Sequence, residues 1–503
     1  MSGIHRGIPL PILAITPKAA HKHLSHLKRL LLLLLLLLLT FSSLSCQTIQ
    51  RAISLFAAAT PPLKAMVTPL PTQTQTATSS PTATSTATTT PLPPTETPAP
   101  FTSTPTATET TWGTSTPTQL ATAIQLEIFQ DLWNIVNDKY LYPDFNGIDW
   151  NAVYAEYLGK IQGGLSNQEF YQAMKEMIFR LGDDHSVYLT PEEATEENAE
   201  LEGDYNYAGI GVLLTAIPEL NRAAVVLTFP GSPADQAGLQ PRDAILTVNA
   251  EPILSEDGNL RDILRGEAGT QVQVLVQTPG EEAREVVMTR ARITSSMPVP
   301  HQVLTSVKGK RIGYLLIVSF LDSTVDEQVE EALREMTLQG PLDGLIIDNT
   351  HNQGGTTIVF KSVLSYFTSG KLGNYISRNS QRDLTIIRGK DINGSQSFPL
   401  VILVGQDTIS NGEIFSGILQ DLGRAYLIGE TTMGNVETLW GYDFEDGSRA
   451  WIAHESFQPI NQPEANWEET GIVPDLIIPV NWYEYKLEED PRIKTALMYF
   501  DSR

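Results

Sequence analysis

Residues 61–118 most strongly limit how this chain can fold, because 39 of these 58 residues are Thr, Ser or Pro. They contain no periodic pattern of apolar side chains that a compact domain could bury. We therefore expect an extended, disordered stalk over residues 47–118, stiffened by its prolines and able to hold a folded head away from a surface. Any folded structure must come from the residues beyond 118.

A basic and then strongly apolar segment precedes the stalk. Ten consecutive leucines, Leu30–Leu39, follow a segment that contains five basic residues, and the single cysteine, Cys46, comes shortly afterwards. This layout is typical of an export signal, since the apolar run is shorter than the roughly 20 residues that span a bilayer. We predict a signal peptide over residues 1–46. The segment resembles a bacterial lipoprotein signal, in which Cys46 would be the lipidated residue. Two alternatives stay open, which are cleavage without a lipid and an uncleaved signal anchor.

The predicted location is therefore the cell envelope or the exterior, with membrane contact only through the N-terminal signal or its lipid. The formal net charge of −24 argues against a protein that follows nucleic-acid phosphates. One cysteine allows neither a disulfide framework nor a multi-cysteine metal site. We find no phosphate-binding lysine loop, zinc-protease motif or dinucleotide glycine motif, so we predict no cofactor and no metal.

Three regions with different patterns of apolar residues follow the stalk, and together they predict an α+β multidomain protein. Residues 119–202 have apolar side chains at helical spacing and form a helical N-terminal module. Residues 203–296 read as short alternating strands with glycine turns. Residues 297–485 alternate strands with helices, which indicates parallel pairing in an α/β core, and residues 486–503 are left as a C-terminal tail.

The helical module ends in a polar, turn-rich segment that contains one histidine, His185. A single histidine in a polar loop is more often a structural hydrogen-bonding residue than a general base. The sequence alone therefore favours a structural role for His185.

Several segments of the β-rich region resemble a PDZ domain, in the order found in bacterial proteases. They are Tyr207–Val212, Pro230–Ala234, Ala237–Asp243, Val248–Asn249 and Leu264–Gly266. The resemblance implies that Gly209, Ile210, Gly211 and Val212 offer backbone N–H groups to a terminal carboxylate, while the strand that follows pairs with an extended peptide. The expected partners are peptide or protein C-termini.

Motifs in the α/β region are similar to those of the C-terminal processing peptidases, also called tail-specific proteases. They are Asp348–Gly355, Asp407–Ile414, Gly429–Gly434, Asp446–Ser448 and Gly471–Asp475. The first two lie at the predicted carboxyl ends of strands, where α/β cores place their sites. The resemblance implies a serine-type peptidase with a crotonase/ClpP-like core, and an oxyanion hole that includes the Gly354-Gly355 turn.

The resemblance implies a catalytic serine directly before the Glu of the serine-helix motif and a catalytic lysine after the Gly of the next turn. The chain departs from the family at both of these positions. These positions hold Gly412, next to Glu413, and Asn435. Glycine has no side chain, and an amide cannot act as a base near neutral pH. No lysine lies between Lys390 and Lys486, so a shifted alignment cannot restore one.

Three functional hypotheses follow. The first is an exported, surface-tethered member of the family that binds extended or C-terminal peptides with lost or strongly reduced proteolysis. The second is an active serine endopeptidase with a rearranged site around Ser410 and Glu413. Its base would be His185, His351 or His454. Against it, Ser410 and Glu413 also match a capping box at a helix N-terminus. The third is a structural surface protein that docks a partner.

Overall fold

The computed structural model describes residues 119–503 except 184 and 203–206. The predicted signal at 1–46 with Cys46, and the predicted stalk at 47–118, lie outside the described residues. In the part of the chain that is described, no helix is both long enough and apolar enough to cross a membrane.

The region from 119 to 202 is mainly helical, as predicted. Its elements are α1 (Thr122–Lys139), α2 (Trp150–Gln162), α3 (Asn167–Phe179), β1 (Val187–Leu189) and α4 (Pro191–Leu201). A capping box between Ser166 and Glu169 begins α3. The first three helices bury one apolar face each, since their large side chains recur every three or four residues.

The PDZ-like region is a β domain built around a five-strand path. Its strands are β2 (Tyr207–Gly209), β3 (Val212–Ile217), β4 (Arg222–Thr228), β5 (Ala244–Val248), β6 (Glu251–Pro252), β7 (Gln271–Gln277), β8 (Arg284–Thr289) and β9 (Ala291–Ile293), with a short helix α5 (Pro233–Gln236). The order β3-β4-β5-β7-β8 leaves β3 at an edge, while β6 pairs with β5 and β2 pairs with β9.

The α/β core contains a six-stranded sheet. Its strands are β10 (His301–Thr305), β11 (Arg311–Leu316), β12 (Gly344–Asp348), β15 (Leu400–Val404), β16 (Ala425–Gly429) and β19 (Leu476–Ile477), in that spatial order. Pairing is parallel from β11 to β19, as the alternating pattern predicts, and β10 is antiparallel at one edge. Every residue of β12 and β15 is buried, which explains the uninterrupted apolar sequence of β15 and the apolar residues that precede Asp348 in β12.

Helices cover one face of this sheet, while the PDZ-like region and a C-terminal helix share the other. The helices on the first face are α6 (Val325–Thr337), α7 (Thr357–Ser365) and α8 (Asn411–Asp421). On the second face, Val226 and Phe229 of the PDZ-like region join the apolar cluster of the sheet. The PDZ-like region therefore packs directly on the core.

A second sheet joins the helical module to the core. It contains β1 together with β13 (Gly370–Ser377), β14 (Gln381–Ile386), β17 (Thr438–Asp443) and β18 (Arg449–Pro459). β1 pairs antiparallel with β18, and Leu439, Trp451 and Ile452 complete the apolar cluster of the three long helices. The predicted boundary at residue 202 therefore does not separate two independent cores.

The segment 486–503 is more than the expected tail. Helix α10 (Pro491–Asp501) lies on the second face of the six-stranded sheet, with Ile493, Ala496 and Phe500 fully buried. Gly344 makes this contact possible, because a Cβ at that position would lie 2.4 Å from the Phe500 ring. The expected α+β multidomain class is confirmed, with the C-terminal residues as part of the core.

Candidate active site

Ser410 occupies the sharp turn between β15 and α8. Its backbone angles, φ 56° and ψ −126°, are uncommon for a residue with a side chain. The Ser410 N–H donates to the Asn435 carbonyl at 2.7 Å and to Glu413 Oε2 at 3.2 Å. Ser410 and Glu413 thus form the predicted capping box, but on a strained turn rather than an ordinary helix start.

The Gly354-Gly355 turn lies against Ser410, as the predicted oxyanion site requires. A Cβ on Gly354 would lie 2.7 Å from Ser410 Cβ and 3.1 Å from Ser410 Oγ, so only glycine fits there. The Gly354 N–H is not free to bind an oxyanion, because it donates to Asn352 Oδ1 at 2.9 Å. The Gly355 N–H has no hydrogen-bond partner among the described residues and is the available donor.

Gly412 lies where no side chain fits. A Cβ at this position would lie 2.5 Å from the Asn352 carbonyl oxygen and 3.2 Å from Asn352 Cβ. The Gly412 carbonyl is also fixed, since it accepts a hydrogen bond from Asn349 Nδ2 at 2.8 Å. The geometry thus gives no room to a nucleophile at 412 and places Ser410 beside the glycine turn.

Glu413 connects the start of α8 to the turn that contains Asn435. Its carboxylate accepts hydrogen bonds from the Thr432 hydroxyl, from the Gly434 N–H at 2.8 Å and from the Asn435 N–H at 2.8 Å. Burial raises the pKa of Glu413 to about 7, and these hydrogen bonds oppose that rise. Glu413 therefore holds the turn that contains Asn435 through one side-chain and two backbone hydrogen bonds.

A cluster of the buried residues His185 and Glu437 with the half-buried Glu468 lies next to this turn. His185 Nε2 is 2.7 Å from Glu468 Oε1 and 3.8 Å from Glu437 Oε2. His185 comes from the loop before β1, Glu437 from the segment before β17, and Glu468 from the short helix α9 (Trp467–Thr470). His185 and Glu468 are 283 residues apart in sequence, so no local motif could have revealed their pairing.

One peptide unit links the cluster to Ser410. The carbonyl of Asn435 accepts the Ser410 N–H, and the N–H of the same peptide unit, that of Val436, donates to Glu468 Oε2 at 2.7 Å. The nucleophile candidate and the carboxylate that holds His185 are thus bound to opposite ends of a single rigid group.

The ionisable groups of this cluster shift one another's pKa. Burial alone would lower the pKa of His185, but the hydrogen bond and charge of Glu468, with Glu437 and Asp183 nearby, raise it to about 9. Burial raises the pKa of Glu437 to about 7, although the nearby His185 lowers it. The imidazolium form of His185 therefore predominates at neutral pH.

The other two histidines considered from the sequence lie elsewhere. His351 Nδ1 pairs with Asp407 at 3.1 Å, and its ring contacts Trp482 in a cavity of about 270 Å³ between the PDZ-like region and the core. His454 stacks on Trp440, with ring centroids 4.1 Å apart. Of the three imidazoles, only that of His185 is connected to the Ser410 turn through Glu468.

The predicted peptide-binding segment, Gly209–Val212, leads into the edge strand β3. Gly211 has φ +79°, and a Cβ there would lie 2.3 Å from Ser232 Cβ. The Gly211 carbonyl accepts the Phe229 N–H at 3.0 Å, while the Ile210 carbonyl accepts the Ala234 N–H at 2.9 Å. These contacts fix the turn. One edge of β3 pairs with no other strand of the described residues, and this edge fits the addition of a peptide strand.

Comparisons with known proteins agree with this architecture. Residues 311–478 match peptidase family S41, residues 125–179 match the tricorn protease C1 domain, and residues 230–278 match a PDZ domain. The Synechocystis carboxyl-terminal-processing protease is 28% identical over 372 residues, covering 72% of this chain and 83% of that protein. The chloroplastic C-terminal processing peptidase of Tetradesmus obliquus is 28% identical over 374 residues, covering 72% and 78%.

A solved structure of the photosystem II D1 C-terminal processing protease has a TM-score of 0.50 and 26% identity to this chain. The match covers 72% of this chain and 95% of that one. The parallel core, the PDZ-like region on its second face and these matches together show that the chain belongs to the C-terminal processing peptidase family with a PDZ domain.

Proposed function

We propose that the protein is a serine peptidase in which Ser410 is the nucleophile and the His185–Glu468 pair is the base, in place of the family lysine. The single observation that carries the proposal is the Asn435–Val436 peptide unit, which binds Ser410 at one end and Glu468 at the other. The strained strand-to-helix turn at Ser410 also supports it, since nucleophilic serines of α/β hydrolases lie on such turns.

In the proposed reaction, each step is assigned to one of four groups of the chain, which are Ser410, His185, Glu468 and the Gly355 N–H. Glu468 holds His185 Nε2, so Nδ1 takes the proton of Ser410 Oγ as that oxygen attacks a peptide carbonyl. The Gly355 N–H stabilises the oxyanion, the imidazolium returns its proton to the leaving amine, and water then hydrolyses the acyl-enzyme. Because the His185 pKa of about 9 leaves little free base at pH 7, hydrolysis should be faster in mildly alkaline solution.

The proposed substrates are extended or C-terminal polypeptide segments that the PDZ-like region binds through Gly209–Val212 and the edge of β3. The names of the relatives, which are carboxyl-terminal-processing proteases, support this substrate class. A peptide-binding protein with lost hydrolysis is the second candidate, and the amide at Asn435 favours it.

Labelling with a fluorophosphonate distinguishes the two candidates. We expect the folded protein at pH 7 to 9 to be labelled at Ser410, and an unstructured peptide with an apolar C-terminus to be cleaved. Both signals should disappear in Ser410→Ala and persist in Ser380→Ala, a substitution on an exposed turn. Peptide binding without labelling or cleavage at any of these pH values would leave only the second candidate.

We also propose that residues 1–46 direct export and that Cys46 carries the lipid that tethers the head. The basic and leucine-rich layout of the segment supports this. In a bacterial host, radiolabelled palmitate should enter the protein and be lost in Cys46→Ser. Equal labelling of both forms, or labelling of neither, would contradict the lipid tether.

A further inference from the structure

We infer that His185, Glu437 and Glu468 form a binding site for one divalent transition-metal ion of the Zn²⁺ type, and that this ion inhibits the proposed peptidase. One nitrogen and one oxygen from each carboxylate lie within 4.8 Å of one another. Imidazole nitrogen with carboxylate oxygen is a donor set that Zn²⁺ accepts, with a fourth position left for water.

Each carboxylate is oriented so that one oxygen faces the imidazole. The Tyr142 hydroxyl donates to Glu437 Oε1, which leaves Oε2 directed towards His185 Nε2. The N–H groups of Val436 and Glu437 donate to Glu468 Oε2 at 2.7 and 3.2 Å, which leaves Oε1 on the same nitrogen. Partners of this kind fix the ligands of known metal sites.

The surroundings of Glu437 Oε2 are an independent indication that this oxygen can bind a cation. Glu437 is 2% exposed, and this oxygen has no hydrogen-bond partner among the described residues. Leaving a buried carboxylate oxygen without a donor costs free energy, whereas Glu468 nearby has donors for its second oxygen. A divalent ion between two carboxylates and a neutral imidazole would satisfy the oxygen and balance the charge.

The inhibitory part of this inference rests on the proposed function. An ion on His185 Nε2 keeps the remaining imidazole proton on Nδ1, so the ring cannot accept the proton of Ser410 Oγ. Metal binding itself does not depend on any peptidase activity.

Titration of the full chain with Zn²⁺ tests the site. After removal of metals with a chelator, calorimetry should show one ion per chain, and Co²⁺ should give visible absorption of a low-coordinate site. Glu437→Gln, which keeps the size of the side chain, should weaken binding by about tenfold or more. Glu335→Gln is the matched control, because Glu335 lies 2.9 Å from His301 in an exposed pair, and no second carboxylate joins this pair to form a three-ligand group among the described residues.

The outcomes separate the two claims. Stoichiometric binding that is weakened in Glu437→Gln and in His185→Gln, with both variants still folded by circular dichroism, supports the site. Absence of saturable binding, or equal binding by Glu437→Gln and the parent chain, overturns it. If the ion binds but the metal-free protein neither labels nor cleaves, only the proposed peptidase fails. If the metal-free protein cleaves and bound Zn²⁺ leaves the rate unchanged, the inhibitory role is overturned.

Discussion

At the scale of single residues, the position before Asn411 accommodates a side chain, whereas the position after it does not. Ser410 has room for a hydroxyl beside Gly354, whereas a Cβ at Gly412 meets the Asn352 carbonyl at 2.5 Å. We predict that Gly412→Ser lowers the free energy of unfolding by about 1–3 kcal/mol, as overpacking does, and adds no second labelled serine. Chemical denaturation and mapped fluorophosphonate labelling measure both effects. Gly159→Ser, in open space on α2, is the control, and a fully stable Gly412→Ser labelled at 412 would contradict the prediction.

The identity of the base gives a second prediction at this scale. Asn435 acts through its backbone groups, so Asn435→Ala should retain cleavage activity within a few-fold of the parent chain. His185→Ala should lose about 100-fold or more in kcat/KM, the usual contribution of a general base. Steady-state kinetics on one peptide substrate compare the two variants. Loss of activity only in Asn435→Ala would show that the base lies elsewhere.

The sequence was informative about these residues to different degrees. Ser410 and the glycine turn are predictable, because both follow apolar runs that read as strands. His185 is named only as one of three possible bases, since nothing local indicates that its loop reaches Glu468. The exclusion of a side chain at Gly412 depends on Asn352, which only the fold brings there. The acidic partners Glu437 and Glu468 were missed entirely, because they carry no motif.

At the scale of elements, helix α10 supports the six-stranded sheet from its second face. Phe500 is 1% exposed and touches the backbone at Gly344, while Met498 on the same helix is 59% exposed. Phe500→Ala should therefore lower the free energy of unfolding by about 3–5 kcal/mol. Met498→Ala is the control and should change it by about 0.5 kcal/mol or less. Urea unfolding followed by tryptophan fluorescence provides the measurement, and equal stabilities would show that α10 does not hold the core.

Element type was easier to predict than element partnership. The alternation of strands and helices over residues 297–485 was predicted correctly, because a buried strand such as β15 is a continuous apolar run. The three-residue strand β1 was not predicted, and its pairing with β18 could not be, since hydrophobic periodicity does not say which sheet a strand joins. The same limit explains why 486–503 was set apart from the core.

At the scale of the whole molecule, a buried ionic network fastens the PDZ-like region to the C-terminal segment. Asp490 is fully buried and accepts hydrogen bonds from Arg242 at 2.9 Å and from Arg492 at 2.7 Å. Burial would raise the pKa of Asp490, but the two arginines hold it below its ordinary value of 3.8. Its stabilising contribution is therefore present above pH 3.8 and is lost as the pH falls through the lower folded-state pKa.

We predict that Asp490→Asn lowers the free energy of unfolding by about 3–5 kcal/mol at pH 7, because it removes the buried carboxylate with which both Arg242 and Arg492 pair. The difference from the parent chain should shrink below pH 3.8. Denaturation at pH 7 and pH 3 tests this, with Asp262→Asn as an exposed control, expected to cost about 1 kcal/mol or less. A pH-independent difference would contradict the linkage.

The 283-residue separation between His185 and Glu468 also has a consequence for the synthesis and folding of the polypeptide. Ribosomes release a chain from its amino end, and domains fold as they emerge. The loop that carries the imidazole is synthesised 283 residues before the carboxylate that holds it. A nascent chain therefore lacks the His185–Glu468 pair until both segments have emerged, and the peptidase activity proposed for this pair could not begin before that point.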